Sequence, residues 1–199
     1  MTGQDGRSRR GSGAARSTAP FAAVIRAAGH RLGQGLDALR PSRPGPGQPD
    51  AISSLTPAQR DAFLVLSAFD QRHAVRVWRR VAAASPADRD LGVAALLHDL
   101  AKASPPGLPG RVRLPDRVAL VLLRRLAPRL LDRVGAFDRR VPRWRAGLVL
   151  AVHHPTLGAA WTAALGSSPR VCWLIAHHHD PAPVSDPALR LLMAADEAG

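Results

Sequence analysis

Four times in this chain a residue with a short polar side chain is followed at once by proline and then by apolar residues at helical spacing: Thr56-Pro57, Ser85-Pro86, Ser168-Pro169 and Asp186-Pro187. Proline loses nothing at the first helical position, because its missing N–H would lack an intrahelical partner there anyway, and the preceding side-chain oxygen accepts from the first turn. These signals predict four helix starts, and Asp88, three residues after Ser85, adds a capping-box-like carboxylate to the second. Apolar periodicity predicts further helices over 70–84, about 115–133 and about 143–154, the last ended by Pro155. No stretch alternates at period two for long enough to form a strand, so the expected class is all-α.

The core of such a fold must come from Ala, Leu and Val, because apolar residues make up 46% of the chain, aromatics only 4%, and Tyr is absent. A length of 199 residues suits one domain with a tail. Residues 1–19 are Gly, Ser, Arg and Thr with almost no apolar content, and are expected to be a disordered tail. In 20–40, Phe21, Val24, Ile25, Ala28, Leu32, Leu36 and Leu39 recur at helical spacing among Arg26, Arg31 and Arg40, which predicts a basic amphipathic helix. Packing onto the main domain is the commoner fate of such a helix, and contact with a membrane surface is the alternative. Residues 41–50 read as a Pro/Gly linker, so the folded domain is expected over 51–199.

Charge is distributed unevenly: +5 over 1–50, +2 over 51–103, +8 over 104–145 and −2 over 146–199. Nearly all of the basicity is Arg, with Lys102 the sole lysine; Arg-rich codon usage accounts for most of this, and nucleic acid is not expected as the main partner. With Cys172 as the one cysteine, an internal disulfide and a thiolate zinc site are both excluded. The pair Arg9-Arg10 is followed by a nine-residue uncharged stretch, Ser17 to Ile25, broken by Pro20, which is no export signal; a cytoplasmic location is expected.

Several ionisable residues fall on the apolar stripes of these helices. His73 is in register with Val77 and Val81, His98 with Leu91, Ala94 and Ala95, His178 with Val171, Leu174 and Ile175, and Asp196 with Leu189, Leu192 and Met193. Asp99 follows His98 directly, and His179 flanks His178, whereas His177 follows Trp173 and is expected to point outward. One inward histidine is ordinarily a satisfied core residue. Four or more inward His and Asp positions on separate helices each need a buried partner, and a shared cation satisfies all of them together.

The run Ala95-Leu96-Leu97-His98-Asp99-Leu100-Ala101-Lys102 resembles the His-Asp doublet segment of the HD-superfamily metal-dependent phosphohydrolases, whose pattern H…HD…D would here be His73, His98-Asp99 and Asp196. The resemblance covers roughly residues 60–199. His154-Pro155-Thr156-Leu157-Gly158-Ala159 and Ile175-Ala176-His177-His178-His179 resemble the segments that supply further histidines in members binding two metals. It implies a first metal held by His73, His98, Asp99 and Asp196, with Asp99 bridging to a second held by His154, His178 and His179. His153 competes with His154, which is favoured because it directly precedes the Pro-x-x-Gly-Ala pattern, and His177 replaces His179 if the helix loosens before Pro181. The Gly-Tyr-Pro signature of the cyclic-dinucleotide phosphodiesterases is absent, and Phe69 stands where some relatives carry a glutamate for a third metal, so two metals are the maximum expected.

A phosphohydrolase of this kind would take one or two divalent transition metals, Mn²⁺, Fe²⁺, Ni²⁺, Co²⁺ or Zn²⁺, since imidazole-rich ligation disfavours Mg²⁺. Metal-activated water would attack a phosphomonoester or phosphodiester, expected to be nucleotide-like, with Asp99 and Lys102 in catalytic roles. Lys102, four residues after His98, together with Arg111, Arg113 and Arg117 of the basic band, would bind the phosphate-containing small molecule. The rival readings are a di-iron oxygenase built on the same ligands and a non-catalytic sensor or scaffold. Oligomeric state has no signature in the sequence.

Overall fold

The computed structural model describes residues 48–138, 140–181 and 184–199; the tail and amphipathic helix expected over 1–40, and most of the linker, lie outside the described residues. All regular structure among the described residues is helical: α1 (Gln48–Ser53), α2 (Pro57–Val65), α3 (Ala68–Ala84), α4 (Arg89–Leu97), a 3₁₀ turn (Leu100–Lys102), α5 (Leu114–Leu126), α6 (Pro128–Val134), α7 (Arg143–Ala164), α8 (Pro169–His177) and α9 (Pro187–Glu197). α1 begins at Gln48, inside the stretch read as a linker. No helix among the described residues is long and apolar enough to cross a membrane.

Three of the four polar-Pro pairs start helices. Thr56 caps α2 in a reciprocal box with Gln59, Ser168 accepts from the Val171 amide at 3.2 Å, and Asp186 accepts from the Leu189 amide at 2.9 Å. The fourth differs. A residue before proline is pushed out of the helical region, so Ser85 ends α3 instead, and Asp88 becomes the N-cap of α4, accepting from the Leu91 amide at 2.9 Å. The same effect divides the single helix expected near 115–133: Ala127, ahead of Pro128, sits at φ −146° and ψ 61°, separating α5 from α6. Pro155 does the opposite of what was expected, and α7 runs through it to Ala164.

α7 is the spine of the molecule, packed against α8, the 3₁₀ turn and α5, while α4 lies between α3 and α8, and α9 closes over α3. The main core gathers Phe63, Val77, Leu91, Leu96, Leu97, Leu100, Leu174, Ile175 and Leu192. A satellite of Val112, Leu150 and Ala151 seats the inner face of α5 through Leu120. Gly158 permits a close approach in this packing, since a Cβ there would stand 3.3 Å from the Ile175 side chain and 3.6 Å from the His98 carbonyl oxygen. That contact brings α7, α8 and the end of α4 to one point.

Candidate metal centre

α4 stops at Leu97, one residue before the His-Asp doublet. His98 keeps helical angles as the C-cap, Asp99 turns to φ −99° and ψ 8°, and the chain enters the 3₁₀ turn, so both side chains are carried into the interior between α3, α7 and α8 rather than lying on a continuous helix. His98, Asp99, His154 and His178 are all buried there.

Three of these histidines are oriented by one device. His98 Nδ1 donates to the Ala95 carbonyl at 2.9 Å, His154 Nδ1 to Ala151 at 3.0 Å and His178 Nδ1 to Ile175 at 2.7 Å, each three residues back along its own helix. In an uninterrupted helix those carbonyls would be engaged by amides four residues on. Here Ala95 and Ile175 lie in the last turns of α4 and α8, where the final carbonyls have no intrahelical donor. Ala151 lacks its donor because the residue four positions on is Pro155, which has no N–H. A carbonyl only accepts, so each Nδ1 must carry the proton, and in the neutral ring each Nε2 is left with a lone pair. Mid-helix, no such carbonyl is free for His73, whose Nε2 instead meets Asp196 Oδ1 at 2.8 Å.

The lone pairs converge on Asp99. Its Oδ2 accepts from Lys102 Nζ at 2.6 Å and lies 3.6 Å from His98 Nε2, while its Oδ1 stands 3.5 Å from His154 Nε2 and 4.0 Å from His178 Nε2. Asp196 Oδ1 lies 3.4 Å from His98 Nε2. Two trios result, His73/His98/Asp196 and His154/His178/His179, each with its ligand atoms within 4.8 Å of one another, and Asp99 between them. His98 Nε2, Asp99 Oδ1, His154 Nε2 and His178 Nε2 are buried with no hydrogen-bond partner. Native interiors leave only a few such atoms unsatisfied, and these are not ordinarily gathered at one place. Four aimed at a common space fit a cation held between nitrogen and carboxylate ligands, and the buried His/Asp groups can hold a metal ion.

Electrostatics keep all of these ligands but His98 in binding form. Burial would raise the Asp99 carboxyl, but the Lys102 ammonium and then His98 outweigh it and hold Asp99 well below the usual carboxylate range. Asp196 is likewise lowered, as its hydrogen bond with His73 and the nearby His98 charge outweigh its desolvation. Burial, reinforced by the Lys102 charge, pushes His154 well down, and burial with the His98 charge lowers His178 to about 3. His179 is lowered by burial and by Lys102. His98 alone goes the other way: desolvation lowers it, yet Asp99 and Asp196 together raise it to about 9. A cation in the trios would take over the charge compensation that this proton supplies.

The neighbouring candidates separate cleanly. His153 leaves the cluster, its Nε2 donating to the Gly135 carbonyl at 2.9 Å, and His177 pairs with Asp180 at 2.7 Å beside Trp173. Lys102 sits on the 3₁₀ turn and pairs with Asp99, not in phase with His98 on one helix. Arg111 and Arg113 are exposed, and among the described residues neither makes an ion pair. Arg117 is committed to Asp70 at 2.6 Å, with its guanidinium over the Phe69 ring. Asp70 was not singled out in the sequence, although its place three residues before His73 puts it on the same inward face; it is buried, and Ser67 Oγ donates to it at 2.6 Å.

The fold and site thus define an all-helical protein with a buried His/Asp cluster able to bind metal. Comparison of the chain with protein-family models, with characterised proteins and with solved structures gives no match.

Proposed function

We propose that this chain is an HD-type metal-dependent phosphohydrolase, its 51–199 region a single HD-type domain. The observation that carries the reading is the convergence of four buried, unpartnered atoms, His98 Nε2, Asp99 Oδ1, His154 Nε2 and His178 Nε2, on one space flanked by two ligand trios. The His-Asp doublet motif supports it independently. His73, His98 and Asp196 would hold one ion, His154, His178 and His179 a second, with Asp99 between. Three imidazoles in one trio and two in the other favour Mn²⁺, Fe²⁺, Co²⁺, Ni²⁺ or Zn²⁺ over Mg²⁺. Metals so bound supply Lewis acidity and a water of lowered pKa as nucleophile.

The chain's own residues have separate tasks in that chemistry. The carbonyl-anchored histidines present fixed Nε2 lone pairs, and Asp99 stays ionised through Lys102. Lys102, partly exposed, carries the positive charge nearest the cluster and would donate to a phosphate oxygen of the substrate. Metal content of the purified full chain by mass spectrometry, followed by assay with Mn²⁺ against phosphomonoesters and phosphodiesters, including nucleotides, tests the reading. Bound transition metal with metal-dependent release of phosphate or alcohol is the expected result. A metal-free protein that neither binds added Mn²⁺ nor hydrolyses any ester would refute it.

A further inference from the structure

The segment from α5 to the start of α7 is constructed unlike the rest of the molecule. Neither α5 nor α6 contains a fully buried residue. α5 rests on α7 through the small Leu120 cluster, and the segment carries large apolar groups in solvent: Leu126 of α5 is 70% exposed, Leu130 of α6 47%, Phe137 of the following loop 50% and Trp144 at the start of α7 75%, with Leu122 beside them in sequence. Single exposed leucines are ordinary, but several within one short segment mark a contact surface. Arginines stand among them. Arg124, Arg125, Arg129, Arg133 and Arg143 are exposed, and none makes an ion pair among the described residues.

The surface is held in shape from behind. Arg145, buried at the start of α7, donates to the carbonyls of Val134 at 3.2 Å and Ala136 at 2.6 Å and pairs with Asp138. His153 donates to Gly135 and meets the Phe137 ring edge-on at 5.9 Å. The loop after α6 is therefore fastened to α7 at four successive residues, Gly135 to Asp138, and Phe137 and Trp144 are presented by a fixed frame.

We propose that the outer face of α5 and α6, with Phe137 and Trp144, docks on an anionic phospholipid surface. The inference is independent of the reaction proposed above. Charge selects the occupant. The band 104–145 carries +8, so a second copy of this chain would bring like charge against it. The chain's own 20–40 segment, with Arg26, Arg31 and Arg40 against Asp37, is also basic. Nucleic acid matches the arginines but offers nothing to Leu126 and Leu130. An anionic bilayer takes both sets: guanidinium groups pair with headgroup phosphates, and Leu, Phe and Trp enter the acyl boundary.

Co-sedimentation of the full chain with vesicles tests this. Phosphatidylcholine vesicles containing phosphatidylserine should retain the protein, pure phosphatidylcholine should not, and raised salt should release it. Leu126→Ser/Leu130→Ser/Trp144→Ser should lower partitioning at least tenfold, and Arg124→Gln/Arg125→Gln/Arg129→Gln about fivefold per charge removed. All six positions are exposed, so unchanged circular dichroism is expected of both variants. The proposal is overturned by absence of wild-type binding, by variants that bind as wild type, or by loss confined to Arg26→Gln/Arg31→Gln/Arg40→Gln. A doubled mass in light scattering that the Leu/Trp substitutions abolish would assign the face to a second copy, and preferential retention of an oligonucleotide would assign it to nucleic acid; either overturns it too.

Discussion

At the scale of single residues, Asp99 and the anchored histidines differ in what their removal leaves behind. Among the described residues, Asp99 is the only carboxylate whose oxygens stand among both groups of histidines, 3.6 Å from His98 Nε2 and 3.5 Å from His154 Nε2. Without it the His154/His178/His179 trio consists of uncharged imidazoles, and Lys102 is left as an uncompensated cation beside them. Asp99→Ala is therefore expected to bring metal content well below one ion per chain and to abolish the proposed hydrolysis. His178→Ala removes one ligand from one trio and leaves His73, His98, Asp196 and Asp99 in place. About one ion per chain should remain, with a much reduced rate, because one ion cannot serve both the attacking and leaving oxygens. Mass-spectrometric stoichiometry of wild type and both variants decides this. Equal, near-zero metal in all three would return the histidines to ordinary core residues, and one ion in wild type that His178→Ala leaves unchanged would make the site mononuclear.

At the scale of elements, the ligands depend on where helices are interrupted, which gives Pro155 a role opposite to that of a helix breaker. It withholds the amide that Ala151 would otherwise engage, and His154 Nδ1 takes the vacancy at 3.0 Å. Pro155→Ala restores the competing donor. The expected outcome is that α7 is no less stable, since proline in a helix interior costs about 3 kcal/mol, while metal affinity falls about 10- to 100-fold through loss of a group that orients a ligand. Titration of the metal-stripped variant with Zn²⁺, alongside its melting temperature, separates these effects; an unchanged affinity would remove Pro155 from the design. Gly158→Val should act differently, by pushing α7 off Ile175 and the His98 carbonyl, and should lower both metal affinity and melting temperature. The inward phase of His73, His98 and His178 was legible in the sequence because each continues an apolar stripe, and three helix starts were legible from a polar cap followed by proline. The closing of α3 at Ser85 follows locally from the proline after it, with Asp88 taking the next cap, but local pattern could not reveal that α7 would pass through Pro155. The passage through Pro155 depends on packing, since α7 is packed against α8 and the 3₁₀ turn. The choice of His154 over His153 has the same origin, since Gly135, eighteen residues away, is what draws His153 off.

At the scale of the whole molecule, the cluster joins α3, α4, α7, α8 and α9, so its charge state bears on the stability of the entire fold rather than of one helix. In the metal-free protein, Asp99, held down by Lys102 and His98 against its desolvation, and Asp196, held down by His73 and His98, contribute stability above the ordinary carboxylate range that is lost as pH falls through it. His154 and His178, kept neutral chiefly by burial, are lowered from 6.5, His178 to about 3; their contribution is present above pH 6.5 and is lost on acidification from there, because the unfolded chain takes up protons that the folded one refuses. His98, raised to about 9 by Asp99 and Asp196 in spite of its burial, contributes below 6.5 and loses that contribution as pH rises towards 9. Metal-free protein should therefore be most stable near pH 6.5, with the steeper fall on the acid side, where the lowered histidines His154, His178 and His179 and then two carboxylates act together. Bound metal changes this profile. At a free metal concentration about a thousandfold above Kd the folded state gains about 4 kcal/mol, which for a domain of about 150 residues corresponds to a rise in melting temperature of roughly 10 °C. The gain should vanish at acid pH as protons compete for the imidazoles, and the alkaline decline set by His98 should be absent, because a metal-bound Nε2 carries no proton to lose. Thermal melts of chelator-treated and Mn²⁺- or Zn²⁺-loaded protein from pH 4 to 9 give both curves, and coincident curves across that range would show that the buried atoms of the cluster do not bind these ions.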